Sequence, residues 1–227
     1  MTCFRQLFHQ ELASIGTTDP LKPSYFPESS ESDECSCSET LSITQSTLSD
    51  DFLSILSSSL GPSQCLQTIR LSNCSFSLPA FSNLCSAIPN SNLSCLCLDV
   101  VSMTNVDLLE PLISLLQAPS PLKFLSLRCC DISQSPSFDD LLQSLRINKT
   151  LSALSLFGNN LTQKSAHLIS ILRGQCSLSY LDLSHCYLSK SDVITVLKEF
   201  QPRSCSDQDR TEIEQALKLK KKKKNPI

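Results

Sequence analysis

Two pairs of cysteines have a spacing that could ligate a metal: Cys35 with Cys37, and Cys95 with Cys97. A zinc site of the structural kind needs four ligands, and no matching pair lies at the spacing that such sites use. The only further soft ligands besides single cysteines are three histidines in different surroundings: His9, His167 and His185. We therefore predict no metal and no other cofactor.

The sequence also lacks the motifs of common catalytic sites. There is no G-x-S-x-G, no Walker loop and no G-x-G-x-x-G, and the four glycines are isolated from one another. His185 adjoins Cys186, which could form a nucleophile and base, but the repeat described below directs Cys186 into the core. We predict that the chain is not an enzyme.

Composition and charge narrow the class of protein. The first residues have no apolar core of signal-peptide length, so the 13 cysteines are expected to be reduced thiols of a cytoplasmic or nuclear protein. No apolar run approaches the roughly 18 residues of a membrane helix. The formal net charge is −3, although six lysines lie near the C-terminus, so the rest is acidic. Neither a membrane nor nucleic acid is the expected partner.

The elements that position these side chains come from a repeat. The pattern L-x-x-L-x-L-x-x-(C/N)-x-L occurs five times, starting at intervals of 27, 29, 29 and 27 residues. The five copies start at Leu66, Leu93, Leu122, Leu151 and Leu178. Such a period is typical of leucine-rich repeats, in which a short parallel strand precedes a helix. A degenerate sixth copy contains Leu41, Ile43 and Leu48.

This pattern predicts an α/β leucine-rich-repeat solenoid of about six repeats, a short horseshoe with parallel strands on the concave face and helices on the convex face. Cys74, Cys130 and Cys186 share one position with Asn159, where they should pack and satisfy the turn backbone. Their role is predicted to be structural.

Helices are expected in the second half of each repeat, among them 51–60, 107–116 and 192–200. Ser137 with Asp140 resembles a capping box, and Thr162 could cap the next helix. Pro79 makes the helix after Phe76 the weakest of these predictions.

Alternation along the strands predicts a binding surface on the concave face. The residues on either side of the two inward leucines point outward, and in the last three repeats they include three aromatics, an arginine and an aspartate. The predicted partner-binding residues are Phe124, Arg128, Phe157, Tyr180 and Asp182. Exposed aromatics with arginine are typical of binding hot spots. The alternative is that these are ordinary surface aromatics and that Arg128 only pairs with Asp99.

Segments of other composition flank the repeats at 38–200. Residues 1–19 have apolar side chains at helical spacing and are predicted to form a short helical segment, and residues 20–37, rich in serine, proline and acidic residues, are predicted to form a disordered linker. Residues 201–227 form a tail whose run Lys220–Lys224 is either a nuclear-import signal or a solvated end.

The strings TLSITQSTLS (40–49), LSALSLFGNNLT (151–162) and SLSYLDLSHCYLS (177–189) resemble the ribonuclease-inhibitor-like superfamily of leucine-rich-repeat proteins. The first two also resemble PRAME-type, elongin-binding substrate receptors. The closer resemblance implies the substrate-recognition part of a cullin–RING ubiquitin ligase, with ligase subunits as partners. The short S/T-L-x-x-x-C box that holds elongin in that group is missing here.

Two other classes stay open. One is a scaffold or a fragment of an innate-immune sensor. The other is a ribonuclease-inhibitor-like enzyme inhibitor, which is disfavoured because six acidic repeats offer little surface for wrapping a basic enzyme.

Overall fold

A computed structural model describes residues 40–61, 65–103, 107–162, 164–172 and 177–200, in which strands and helices alternate. Within these ranges the strands are β1 (Thr40–Thr44), β2 (Thr68–Ser72), β3 (Cys95–Asp99), β4 (Phe124–Ser126), β5 (Ala153–Ser155) and β6 (Tyr180–Asp182). The helices are α1 (Asp50–Ser59), α2 (Leu78–Ala87), α3 (Leu109–Gln117), α4 (Phe138–Ile147), α5 (Ser165–Leu172) and α6 (Lys190–Glu199). The segments 1–19, 20–37 and 201–227 lie outside the described residues.

The strands form one parallel sheet whose order, β1 to β6, follows the chain. Parallel neighbours require a crossover, which the intervening helix supplies in each repeat. Thr40 pairs with Thr68, and Phe124 pairs with Ala153, which in turn pairs with Tyr180. These are the positions that the repeat motif aligns. The predicted α/β class and strand register are therefore confirmed.

The leucines between the sheet and the helices form one continuous core that runs from Leu41 in β1 to Cys186 after β6. The paired leucines of the central strands are at most 1% exposed: Leu96, Leu98, Leu125, Leu127, Leu154 and Leu156. Burial of each such side chain contributes about 1.5–3 kcal/mol. Because the cluster crosses every repeat, each repeat depends on its neighbours for stability.

Serine side chains cap the N-termini of several of the helices. Ser49 accepts a hydrogen bond from the amide of Phe52 at 3.2 Å, and Ser77 accepts one from Ala80 at the same distance. Pro79 lies within the first turn of α2, where its missing N–H costs nothing. The helix that this proline made uncertain is therefore present.

Two of the predicted caps are wrong. Ser137 precedes α4, but its hydroxyl donates to the Asp107 carboxylate and accepts from no amide of the helix, because its backbone is not extended as an N-cap requires. Thr162 lies three residues before α5 begins at Ser165, and its hydroxyl bonds to Asn160 and to the carbonyl of Tyr187. Among the described helices, α6 has a capping box, in which Ser189 and Asp192 bond reciprocally.

In each repeat, the residue two positions after the second inward leucine or isoleucine of the motif has a left-handed backbone. These six residues have φ between +52° and +74°: Gln45, Asn73, Val100, Cys129, Gly158 and His185. The amides of the first five donate to the next repeat, as when the N–H of Cys129 donates to the carbonyl of Phe157 at 2.8 Å. At Gly158 a Cβ would lie 2.5 Å from the Cys129 sulfur. Glycine therefore allows the left-handed backbone at this position and also leaves room for the Cys129 side chain.

Candidate functional site

The open face of the sheet, defined as the face turned away from the helices, carries a small apolar cluster of its own. Phe124 packs there with Cys95, Cys97 and Ala153, and Tyr180 lies against them. Phe124 is only 2% exposed. The expectation that Phe124 is an exposed contact residue is therefore wrong, because side chains on strands about 4.8 Å apart touch and exclude water.

Two serines of the open face are buried as well. Ser126 is 0% exposed and Ser155 is 2% exposed. The hydroxyl of Ser126 donates to Asp99 at 2.7 Å, and that of Ser155 donates to Asp182 at 3.0 Å. The strand register places both on the open face, as the alternation along the strands predicts, and neighbouring side chains cover them there. Their hydrogen bonds satisfy the hydroxyls and hold two aspartates in place.

The side chains that remain accessible on the open face form a stack across three repeats. The guanidinium carbon of Arg128 lies 4.2 Å from the centroid of the Phe157 ring. The ring of His185 meets Phe157 at a centroid distance of 4.9 Å and an angle of 60°. Arg128 and Phe157 are half-buried, and His185 is exposed. A cation above an aromatic face is worth about 0.5–1 kcal/mol when exposed, so this contact favours the observed arrangement of the two side chains modestly before any partner binds.

Asp182 and Tyr180 complete the surface beside this stack. Burial acts to raise the pKa of Asp182, but hydrogen bonds from Ser184 and Ser155 and the charge of Arg128 outweigh it, and the pKa is lowered. Burial and the charge of Asp182 raise the pKa of Tyr180, against the opposing effect of Arg128. The charge of Arg128 therefore acts on both groups. At neutral pH Asp182 is a carboxylate and Tyr180 is a neutral phenol.

Of the five predicted contact residues, the structure brings Arg128, Phe157, Tyr180 and Asp182 together and buries Phe124 in the cluster against which Tyr180 packs. We call the four residues and His185 the C-terminal patch. Sequence reasoning missed His185. His185 occupies the left-handed position beyond the strand, where Gly158 lies one repeat earlier, so strand alternation alone does not place its ring on this face. Asp99, the partner that the alternative gives to Arg128, accepts a hydrogen bond from Ser126, and Arg128 lies over the Phe157 ring.

Cys186 and His185 do not form a nucleophile and base. The Cys186 side chain is 2% exposed, and its thiol donates to the carbonyl of Leu156 at 3.1 Å. Burial raises the pKa of this thiol. Since the thiolate is the reactive form, the adjoining pair has the wrong orientation and the wrong protonation state for attack on a substrate.

The structure describes one of the two cysteine pairs, Cys95 with Cys97. The sulfurs of Cys95 and Cys97 lie 3.7 Å apart, and Arg70 donates to Cys97 at 3.4 Å. Cys35 and Cys37 lie outside the described residues. Seven described cysteines are free thiols, but Cys65 is disulfide-bonded, so the expectation that every cysteine is reduced is wrong at that position.

Over the described ranges, no group of three or more histidine, cysteine, aspartate or glutamate side chains could hold a metal ion. No helix in the same part of the chain is long and apolar enough to cross a membrane. The sequence matches no family model and no curated protein.

Proposed function

We propose that the chain is a leucine-rich-repeat protein of the ribonuclease-inhibitor-like type that binds another protein through the C-terminal patch on its open face. The observation that carries the proposal is the stack of Arg128, Phe157 and His185, which spans three adjacent repeats and leaves its outer side accessible. The repeat period and its alignment with the strand register support the repeat class. In a horseshoe of such repeats this face is the concave one.

The composition of the patch favours a protein partner. Phenylalanine, tyrosine and arginine supply large contact areas, and such residues dominate the energy of protein interfaces. The patch residues are already held by one another and by Ser155, so binding would immobilise few free side chains. Phe124 supports the patch from below and is not proposed as a contact.

The test compares partners recovered by affinity purification and mass spectrometry. The Phe157→Ala/Tyr180→Ala double variant removes two half-buried side chains that lie outside the main core, so the fold should survive by circular dichroism. We expect it to lose at least about 2 kcal/mol of affinity, roughly 30-fold, for the main partner.

Thr44→Ala is the matched control, because Thr44 is exposed and occupies the column of Phe157 in the first repeat. It should retain wild-type affinity. A folded double variant that recovers the same partner in the same yield would remove the C-terminal patch from the proposal.

The ubiquitin-ligase role stays a prediction that rests on resemblance alone. Recovery of elongin and cullin with the wild-type chain would support it, whereas recovery of signalling or immune-sensor proteins would favour the scaffold alternative. We propose the cytoplasm or nucleus as the compartment, and localisation of the tagged chain would test that prediction.

A further inference from the structure

The last described repeat has an apolar outer side that nothing described covers. Leu181, Leu183 and Leu188 are only partly buried, whereas Leu154, Leu156 and Leu161 one repeat earlier are at most 1% exposed. β6 is also the edge of the sheet and has a single strand neighbour, β5, among the described residues. An uncovered repeat end exposes apolar side chains to water, and an open strand edge leaves backbone N–H and C=O groups without a strand partner. A solenoid therefore normally ends in a capping element.

Helix α6 continues this exposed surface. It has no buried residue, although every other fully described helix has several. Leu197 is 74% exposed, Ile194 is 44% exposed and Val193 is 43% exposed. These three positions, i, i+1 and i+4, share one side of the helix, and the surface they form is the α6 face. An amphipathic helix with a narrow apolar stripe would suit it.

We propose that residues 206–219 of this chain form a helix that docks on the α6 face and caps the end of the array. The segment has the local signals of a helix. Ser206 and Asp209 have capping-box spacing, Glu214 and Lys218 can pair one turn apart, and basic residues follow at the C-terminal end. Ile213, Ala216 and Leu217 have the spacing i, i+3, i+4 and form a single narrow apolar stripe.

Connectivity favours this segment over a second copy of the chain. Residue 201 directly follows the end of α6 at Phe200, which packs against the core. The five residues 201–205 span up to roughly 17 Å, which allows the chain to reverse over the α6 face. A segment tethered so closely has an effective concentration in the millimolar range, far above that of a protein at micromolar concentration. The docked segment therefore outcompetes association of two exposed ends.

The proposal is tested in the full chain with matched variants. Ile213→Asp/Leu217→Asp places two charges on the apolar stripe. Thr211→Asp/Gln215→Asp places the same two charges on the opposite side of the same segment and is the control. Amide hydrogen exchange in Tyr180–Asp182 and Lys190–Glu199 should become about tenfold faster or more in the first variant and stay as in the wild type in the control.

A reciprocal variant, Leu197→Asp, alters the α6 face without touching the segment, and its exposed position should leave the other repeats folded. It should give the same faster exchange. Equal exchange in all four proteins would overturn the proposal. So would a wild-type protein that light scattering shows to be a dimer and whose protection of α6 vanishes on dilution, because a second copy would then cover the α6 face. No binding partner enters this experiment, so its outcome is independent of the proposed function.

Discussion

At the scale of single residues, cysteine serves this chain as a small apolar side chain whose thiol also closes a backbone hydrogen bond. Cys130 donates to the carbonyl of Leu98 at 2.7 Å, and Cys186 and Cys74 make the corresponding contacts in their own repeats. Burial raises the pKa of Cys130 to about 12 and that of Cys85 further still. These thiols therefore remain protonated at neutral pH.

This burial predicts a sharp contrast in thiol reactivity. Iodoacetamide should modify Cys129, the exposed free thiol among the described residues, well before the six buried ones. The protected set is Cys74, Cys85, Cys95, Cys97, Cys130 and Cys186. The reason is that alkylation needs an accessible thiolate, which burial denies. Mass spectrometry of peptides from briefly labelled native protein gives the measurement.

Labelling in denaturant is the control, since unfolding should make all of these thiols equally reactive. Rapid modification of Cys85 or Cys130 in the folded protein would show that the core opens at those positions and would contradict the packing described.

At the scale of the repeat element, Asn159 is the most completely bonded member of its column. Its amide donates to the carbonyls of Leu127 and Leu156 at 2.7 and 2.8 Å. Its oxygen accepts from the amides of Cys130 and Ile132 at 3.1 and 3.3 Å. A cysteine at this position is a weak donor and a weak acceptor, so its hydrogen bonds to the turn are weaker than those of asparagine and the two kinds of side chain stabilise neighbouring turns unequally.

Substitutions at Asn159 should separate these contributions. Asn159→Ala leaves two buried amides and two carbonyls without this partner and should lower the free energy of unfolding by about 3 kcal/mol or more. Asn159→Cys restores the donor, as in three other repeats, and should cost about 1–2 kcal/mol less than the alanine variant. Urea denaturation measures both.

Asn160→Ala is the control next to it, because Asn160 is exposed and bonds only to Thr162 among the contacts described for its side chain. It should change stability by less than about 1 kcal/mol. Equal stability of the alanine and cysteine variants at 159 would contradict the role assigned to the thiols.

The elements also show how far sequence reasoning reaches. The period alone predicts which residues pair across strands, since a slip of one residue would turn every leucine outward. Helix starts are harder to predict. Ser137 has the spacing of a capping box, yet its ψ of 11° is not the extended backbone of an N-cap, and its hydroxyl donates to Asp107. A local sequence pattern does not reveal this backbone angle.

At the scale of the whole molecule, the open face combines a buried cluster around Phe124 with the accessible C-terminal patch. The face and four of the five proposed contacts were predictable, because they follow from strand alternation. The burial of Phe124 was not, because it depends on Cys95 and Ala153 on the two neighbouring strands. Likewise, the contact between Phe157 and His185 depends on a left-handed residue beyond the strand.

The measurement that tests the central claim most directly is photocrosslinking to the recovered partner. A photoreactive phenylalanine analogue replaces Phe157 on the open face in one protein, and Ile147, which is 58% exposed at the end of α4, in another. Because the C-terminal patch is proposed to contact the partner, position 157 should crosslink to it efficiently and position 147 should not. Crosslinking from position 147 with none from position 157 would contradict the claim and would assign the interaction to the helical side of the molecule.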